Sequence, residues 1–169
     1  LYSPGDKLTK LSRPIVLALS SQLFPIATQS HEKGEKHRLR TLLKKGTKYT
    51  VLLGIPLTVF SFLYAEAFCN LWLFKSIGSD SQIVARVVMG WAIVDFLSFC
   101  GGSQWPVLLG MRKINFAAKV NVIGALANII LSILLVKYTP IGIPAVVLAT
   151  IVVELVRRPI LTKFTARQV

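Results

Sequence analysis

The residues able to do chemistry in this chain sit almost entirely in or beside apolar sequence. Asp6, Lys7 and Lys10 open the first apolar segment, and Lys10 lies one helical turn beyond the other two, close enough to share a face. Asp95 stands near the middle of a long apolar run and is the deepest carboxylate. A carboxylate so placed suits coupling to a proton or sodium ion, and equally a structural hydrogen bond to a neighbouring helix. Asn121, Gly124, Ala125, Asn128 and Ser132 form a stripe at helical spacing; small and amide residues in that order suit helix packing more than ligand binding. A charge at mid-bilayer costs ~2.5–3.5 kcal/mol unless it faces water or protein, so intramembrane polar groups are where a site is to be sought.

The remaining reactive types are poorly arranged for catalysis. His31 and His37 are six residues apart in a basic stretch, not stacked on one helical face, so neither a metal nor a catalytic role is expected. Cys69 and Cys100 both fall in apolar segments, without metal-ligand spacing or a disulfide framework, and read as small hydrophobes. Glu66 and Arg86 lie near helix ends, where their side chains can reach water. No phosphate-binding glycine loop, nucleophile elbow or zinc-protease motif occurs, and Asp80 stands alone in a short link. The expectation is a protein that is not an enzyme, with no catalytic residue, metal or cofactor.

These residues need elements to position them, and the clearest is Val51–Phe74, twenty-four residues with one formal charge, Glu66. As a helix it would span ~36 Å, enough to cross a hydrocarbon core of ~30 Å with some tilt. Gly54 and Pro56 are acceptable there, because neighbouring helices satisfy the freed carbonyls. Around it the expected crossings are 6–29, 50–74, 83–110, 119–136 and 141–159, with a break near Gly101-Gly102 and Pro106 in the third. The first has only Ile15–Ala27 as apolar core, so its basic turns would face a water-filled cavity or other protein. Between the first two crossings, residues 30–49 carry seven Lys/Arg, with Leu39, Leu42 and Leu43 at i, i+3 and i+4. That pattern is a short amphipathic helix suited to an anionic leaflet.

Composition agrees. The 169 residues are 53% hydrophobic and 16% charged, where a soluble domain carries about 25% charged residues; mean hydropathy is +0.62. The net charge of +13 could suggest nucleic acid. The basic residues instead form short blocks beside apolar runs, the pattern of a polytopic membrane protein facing anionic lipid, and no nucleic-acid partner is expected. Fourteen of the twenty Lys/Arg fall in 30–50, 112–119 and the tail from Arg157, and six fall on the other side. The basic side and the C-terminus are therefore expected in the cytoplasm. Five crossings then place Leu1 outside, and with no initiator Met the chain is expected to be part of a longer protein.

Four stretches, taken in order, resemble a family. YSPGDKLTKL with LFPIATQSHEKGEKHRLRTLLKKG is a helix opened by Asp-basic-Leu, followed by a proline and a charged loop. GIPLTVFSFLYAEAFCNLWLF has an early proline and an Ala-Glu…Leu-Trp-Leu ending. LLGMRKINFAAKVNVIGALANIILSILLV is the third stretch, and YTPIGIPAVVLAT the fourth, with Pro144 departing from a Gly-x-x-Gly-Ala-Ala pattern. Together they resemble the C-terminal lobe of the polysaccharide and lipid-linked oligosaccharide flippases, in the superfamily of the multidrug and toxin exporters.

The resemblance implies an all-α, polytopic helix bundle, with residues 1–169 forming five helices of a six-helix C-terminal transmembrane lobe. It implies inner-membrane translocation of a lipid-linked saccharide by alternating access, with the N-terminal lobe as partner. Asp6 and Lys7 match the Asp-basic pair opening the corresponding helix in lipid II flippases, where the basic residue faces the cavity. A lysine there suits a pyrophosphate-linked cargo. A multidrug exporter and a non-transporting membrane scaffold are the alternatives.

Overall fold

The computed structural model describes residue 18 and residues 21–77, 81–140, 142 and 144–169. Every regular element among them is an α-helix: α1 Leu23–Glu32, α2 Lys36–Leu63, α3 Ala65–Ile77, α4 Ser81–Cys100, α5 Gln104–Gly110, α6 Ile114–Tyr138 and α7 Pro144–Gln168. The expected first crossing falls mostly outside the described residues, and α1 is its described end.

α1 stops at Gly34, whose φ of +71° suits a residue without a Cβ. There the Glu35 N–H reaches the Ser30 carbonyl at 2.9 Å and the Gly34 N–H reaches His31 at 3.0 Å, closing a Schellman turn. α2 then starts at Lys36 and runs 28 residues without interruption. The basic stretch proposed as a separate amphipathic helix is the opening of this long one. Polarity changes along it, but nothing from Lys36 to Leu63 stops the hydrogen-bond ladder, and Pro56 costs only one bond within it. The break comes at Tyr64, so the apolar run 50–74 is divided between α2 and α3.

α2 packs on α4 through a stripe with a four-residue period, Gly46, Thr50, Gly54 and Thr58, all buried. A Cβ on Gly54 would overlap the Phe99 ring, and one on Gly46 would lie 2.9 Å from Ser103 Cβ. Small residues let two membrane helices approach closely where water supplies no driving force. The line of α4 breaks at Gly101–Ser103 before α5 resumes it. Pro106 sits in the first turn of α5, where its missing N–H leaves no bond unmade.

α5 ends in a second Schellman turn, Lys113 N–H to Leu108 carbonyl at 3.0 Å, with Arg112 at φ +57° where glycine is usual. α6 and α7 then lie against each other. Ala117 is the one buried residue of α6, and the isoleucines beyond its first turn face outward: Ile123 and Ile133 keep 66% and 62% of their surface. In water such a face would be an aggregation liability; in lipid it is the solvent-compatible side.

The buried clusters are local. One joins α1, α2, α5, α6 and α7 at the basic end through Ala27, Leu39, Leu108, Met111, Ala117 and Leu161. Cys69 is buried between α3 and α4 with Val84 and Val88, and Cys100 is partly buried; both are free thiols.

Among the described residues, three helical stretches are long and apolar enough to cross a membrane: Lys36–Leu63, Ser81–Gly110 and Ile114–Tyr138. α7 has the length, but its apolar first half gives way to Glu154, Arg157 and Arg158.

Candidate functional site

The charged centre of α7 follows from spacing. Glu154, Arg157 and Arg158 occupy i, i+3 and i+4, which a helix places on one face. Arg158 Nε donates to Glu154 Oε2 at 2.8 Å, and Arg157 Nη2 donates to Glu154 Oε1. Glu154 is buried, and the two arginine side chains retain 22% and 19% of their surface. Arg157 Nη1 also donates to Asn121 Oδ1 on α6, at 2.8 Å. Arg158 lies against Gly101, where a Cβ would meet its guanidinium, so the break after α4 makes room for the charge.

α5 contributes Gln104, 6% exposed, whose Nε2 donates to Thr162 Oγ1 at 2.7 Å. Thr162 in turn donates to the Arg158 carbonyl at 2.9 Å. A cavity of about 150 Å³ remains between Gly101, Gln104, Trp105, Asn121, Arg157 and Arg158. Among the described residues, Gln104 Oε1 and Arg157 Nε are buried polar atoms without a hydrogen-bond partner. Glu154 pairs with both arginines, so this triad of one carboxylate and two guanidinia carries one positive charge in excess. Such a group suits an anion from outside the group.

The residues singled out from sequence are placed as follows. Asp6, Lys7 and Lys10 lie outside the described residues. Asp95 is 2% exposed on α4 and engaged in an interaction within the protein. Of the α6 stripe, Asn128 Nδ2 donates to Thr150 Oγ1 at 3.1 Å, Ser132 Oγ donates to Asn128 Oδ1 at 3.0 Å, and Asn121 accepts from Arg157. The position of a Cβ on Gly124 is 3.2 Å from Arg157 Cδ, whereas Ala125 is exposed. His31 and His37 are exposed on α1 and α2, and Glu66 and Arg86 are exposed on α3 and α4. Sequence reasoning missed Glu154, Gln104 and Thr162, and counted Arg157 and Arg158 only as basic tail. The available signal was a lone acid three and four residues before an arginine pair.

Apolar faces turned outward, helices able to cross a bilayer and charge folded between helices define a polytopic membrane protein. The chain belongs to the lipid II flippase MurJ family, whose model matches residues 13–169. That match begins after Asp6, Lys7 and Lys10. No curated protein and no solved structure matches the chain. The family assignment makes it an inner-membrane transporter of a lipid-linked saccharide and not an enzyme.

Proposed function

We propose that this chain forms the C-terminal lobe of a lipid II flippase and works by alternating access with an N-terminal lobe. The observation that carries the reading is the family match across 13–169. It favours neither the multidrug exporter nor the scaffold. In this reading the basic ends of α2, α6 and α7 face the cytoplasm, because the Lys/Arg excess lies there. The basic turns of α2 meet anionic headgroups, each cation contributing about 1 kcal/mol.

We assign substrate contact to the segment around Asp6, which lies outside the described residues; its sequence is polar, and polar sequence at membrane depth needs water or protein beside it. In this reading Lys7 offers a cation to the pyrophosphate of the cargo, with Asp6 and Lys10 as further candidates for substrate contact. Asp95 is assigned a structural or ion-coupling role within the bundle.

The test is export of the lipid-linked precursor in cells that depend on the complete transporter. Lys7→Ala at normal protein level should lose export, and Lys7→Arg should retain part of it. Full export by the alanine variant would remove Lys7 from the substrate path.

A further inference from the structure

The polar cavity between α5, α6 and α7 is walled by hydrogen-bond donors. Of the Glu154–Arg157–Arg158 group, both arginines line it and the glutamate does not, so the space meets the cations and not their counter-charge. Arg158 is anchored through Nε on Glu154, and its Nη1 lies against Gly101, another wall residue. Among the described residues, Arg158 Nη1 and Nη2 and Asn121 Nδ2 donate to nothing, and none of the three is buried. Both side chains line this cavity, and neither lines the apolar groove on the other side of Arg157. Trp105 is 46% exposed at the same wall, and its indole N–H also makes no hydrogen bond among the described residues. Gln104 adds an acceptor without a partner, the buried Oε1.

We propose that this cavity binds a small oxyanion that still carries a proton, of the class of hydrogen phosphate, on the free edge of the Arg158 guanidinium. Charge favours an anion. The triad has one cation in excess, about two turns in from the basic start of α6, where an unbalanced charge is costly. Shape favours an oxyanion over a halide, because the two η nitrogens form a planar fork matched to two oxygens. A turn of the Gln104 amide brings Oε1 to a P–O–H donor, which a halide lacks. Size allows it: the cavity measures about 150 Å³, and an apolar cavity of about that volume admits benzene. The exposed Arg112, Lys113 and Lys119 concentrate anions at this end of the protein. The site is separate from the cargo contact assigned to Lys7 and does not depend on it.

The test is equilibrium dialysis of the complete protein, in uncharged detergent, against radiolabelled inorganic phosphate at constant ionic strength. The wild type should bind phosphate saturably, with chloride competing about tenfold more weakly or worse. Arg158→Gln keeps Glu154 paired with Arg157 and should weaken binding about tenfold, the loss of one charged hydrogen bond. Trp105→Phe keeps the ring and removes the N–H, and should weaken binding about threefold. Its position is half-exposed, so it covers the case of a poorly folded Arg158 variant. Lys137→Gln, at the other end of α6, should leave binding unchanged. No saturable binding by the wild type, equal competition by chloride, or wild-type affinity in both the Arg158 and Trp105 variants would overturn the proposal. Binding lost in Lys7→Ala and retained in Arg158→Gln would also overturn it, and would give the phosphate to the cargo contact.

Discussion

Thr50 on α2 caps the end of α4: its Oγ1 donates to the Phe99 carbonyl at 3.0 Å, where α4 runs out before Gly101. The Phe99 carbonyl also accepts the Gly102 N–H at 3.1 Å, so the hydroxyl, shared with the Thr47 carbonyl at 3.0 Å, adds a second partner from a neighbouring helix. Thr50→Val keeps the shape and removes the donor, at a cost of about 1 kcal/mol. Both Thr58 hydroxyl bonds return to its own helix, at Gly54 and Ile55, so Thr58→Val should cost less. Thermal unfolding in detergent checks the order; equal effects would deny Thr50 its capping role.

Gly54 sets two effects against each other. Alanine is better than glycine inside a helix by about 1 kcal/mol, but its Cβ would lie on the Phe99 ring, which is 4% exposed and has little room to move. Overpacking of this kind costs about 1–3 kcal/mol. Gly54→Ala should therefore lower Tm, and Phe99→Leu in the same chain should recover part of the loss. Additive losses in the double variant would place the cause elsewhere.

Glu154 serves two arginines, so its removal is not equivalent to theirs. Glu154→Gln leaves both guanidinia without a counter-charge and should destabilise by about 3 kcal/mol, the scale of a broken buried pair. Arg158→Gln leaves Glu154 with Arg157 and should cost clearly less. Protein level and Tm of the two variants decide; a milder effect of the glutamine at 154 would mean the cluster is already solvated.

Arg112 holds φ +57° at the end of α5. A side chain in that conformation costs about 1 kcal/mol that glycine avoids. Arg112→Gly should raise Tm slightly, with export unchanged. A fall in Tm would show that the guanidinium contributes more than the backbone loses.

The membrane character of the chain was legible from the Val51–Phe74 run, and the break in the third apolar segment from Gly101-Gly102. The continuity of α2 was not. A drop in hydropathy at Tyr49 looks like a boundary, whereas the backbone ladder is indifferent to whether Lys45 or Leu53 hangs from it. The bend at Tyr64 carries neither glycine nor proline and left no mark in the sequence. Gly46, Thr50, Gly54 and Thr58 are spaced regularly enough to be read as a packing face, but their scatter among larger apolar residues hid the period. The arginine pair at 157 reads from sequence as tail charge, because the contacts of Arg157 with Asn121 and of Arg158 with Gly101 that fold it inward come from distant parts of the chain.

The discontinuity at Gly101–Ser103 also determines what α5 is free to do. On its near side the Phe99 carbonyl is tied to Thr50; on its far side Ser103 Oγ is tied to Thr47 Oγ1 at 2.6 Å and to the Leu43 carbonyl at 3.2 Å. All three partners lie on α2, within about two turns of unbroken helix, which therefore acts as a splint across the fracture. Any tilt of α5 against α4 must break one of these bonds or bend α2 with it. Motion in this part of the protein is accordingly that of a block, with α2, α4 and α5 travelling together and no elbow between them.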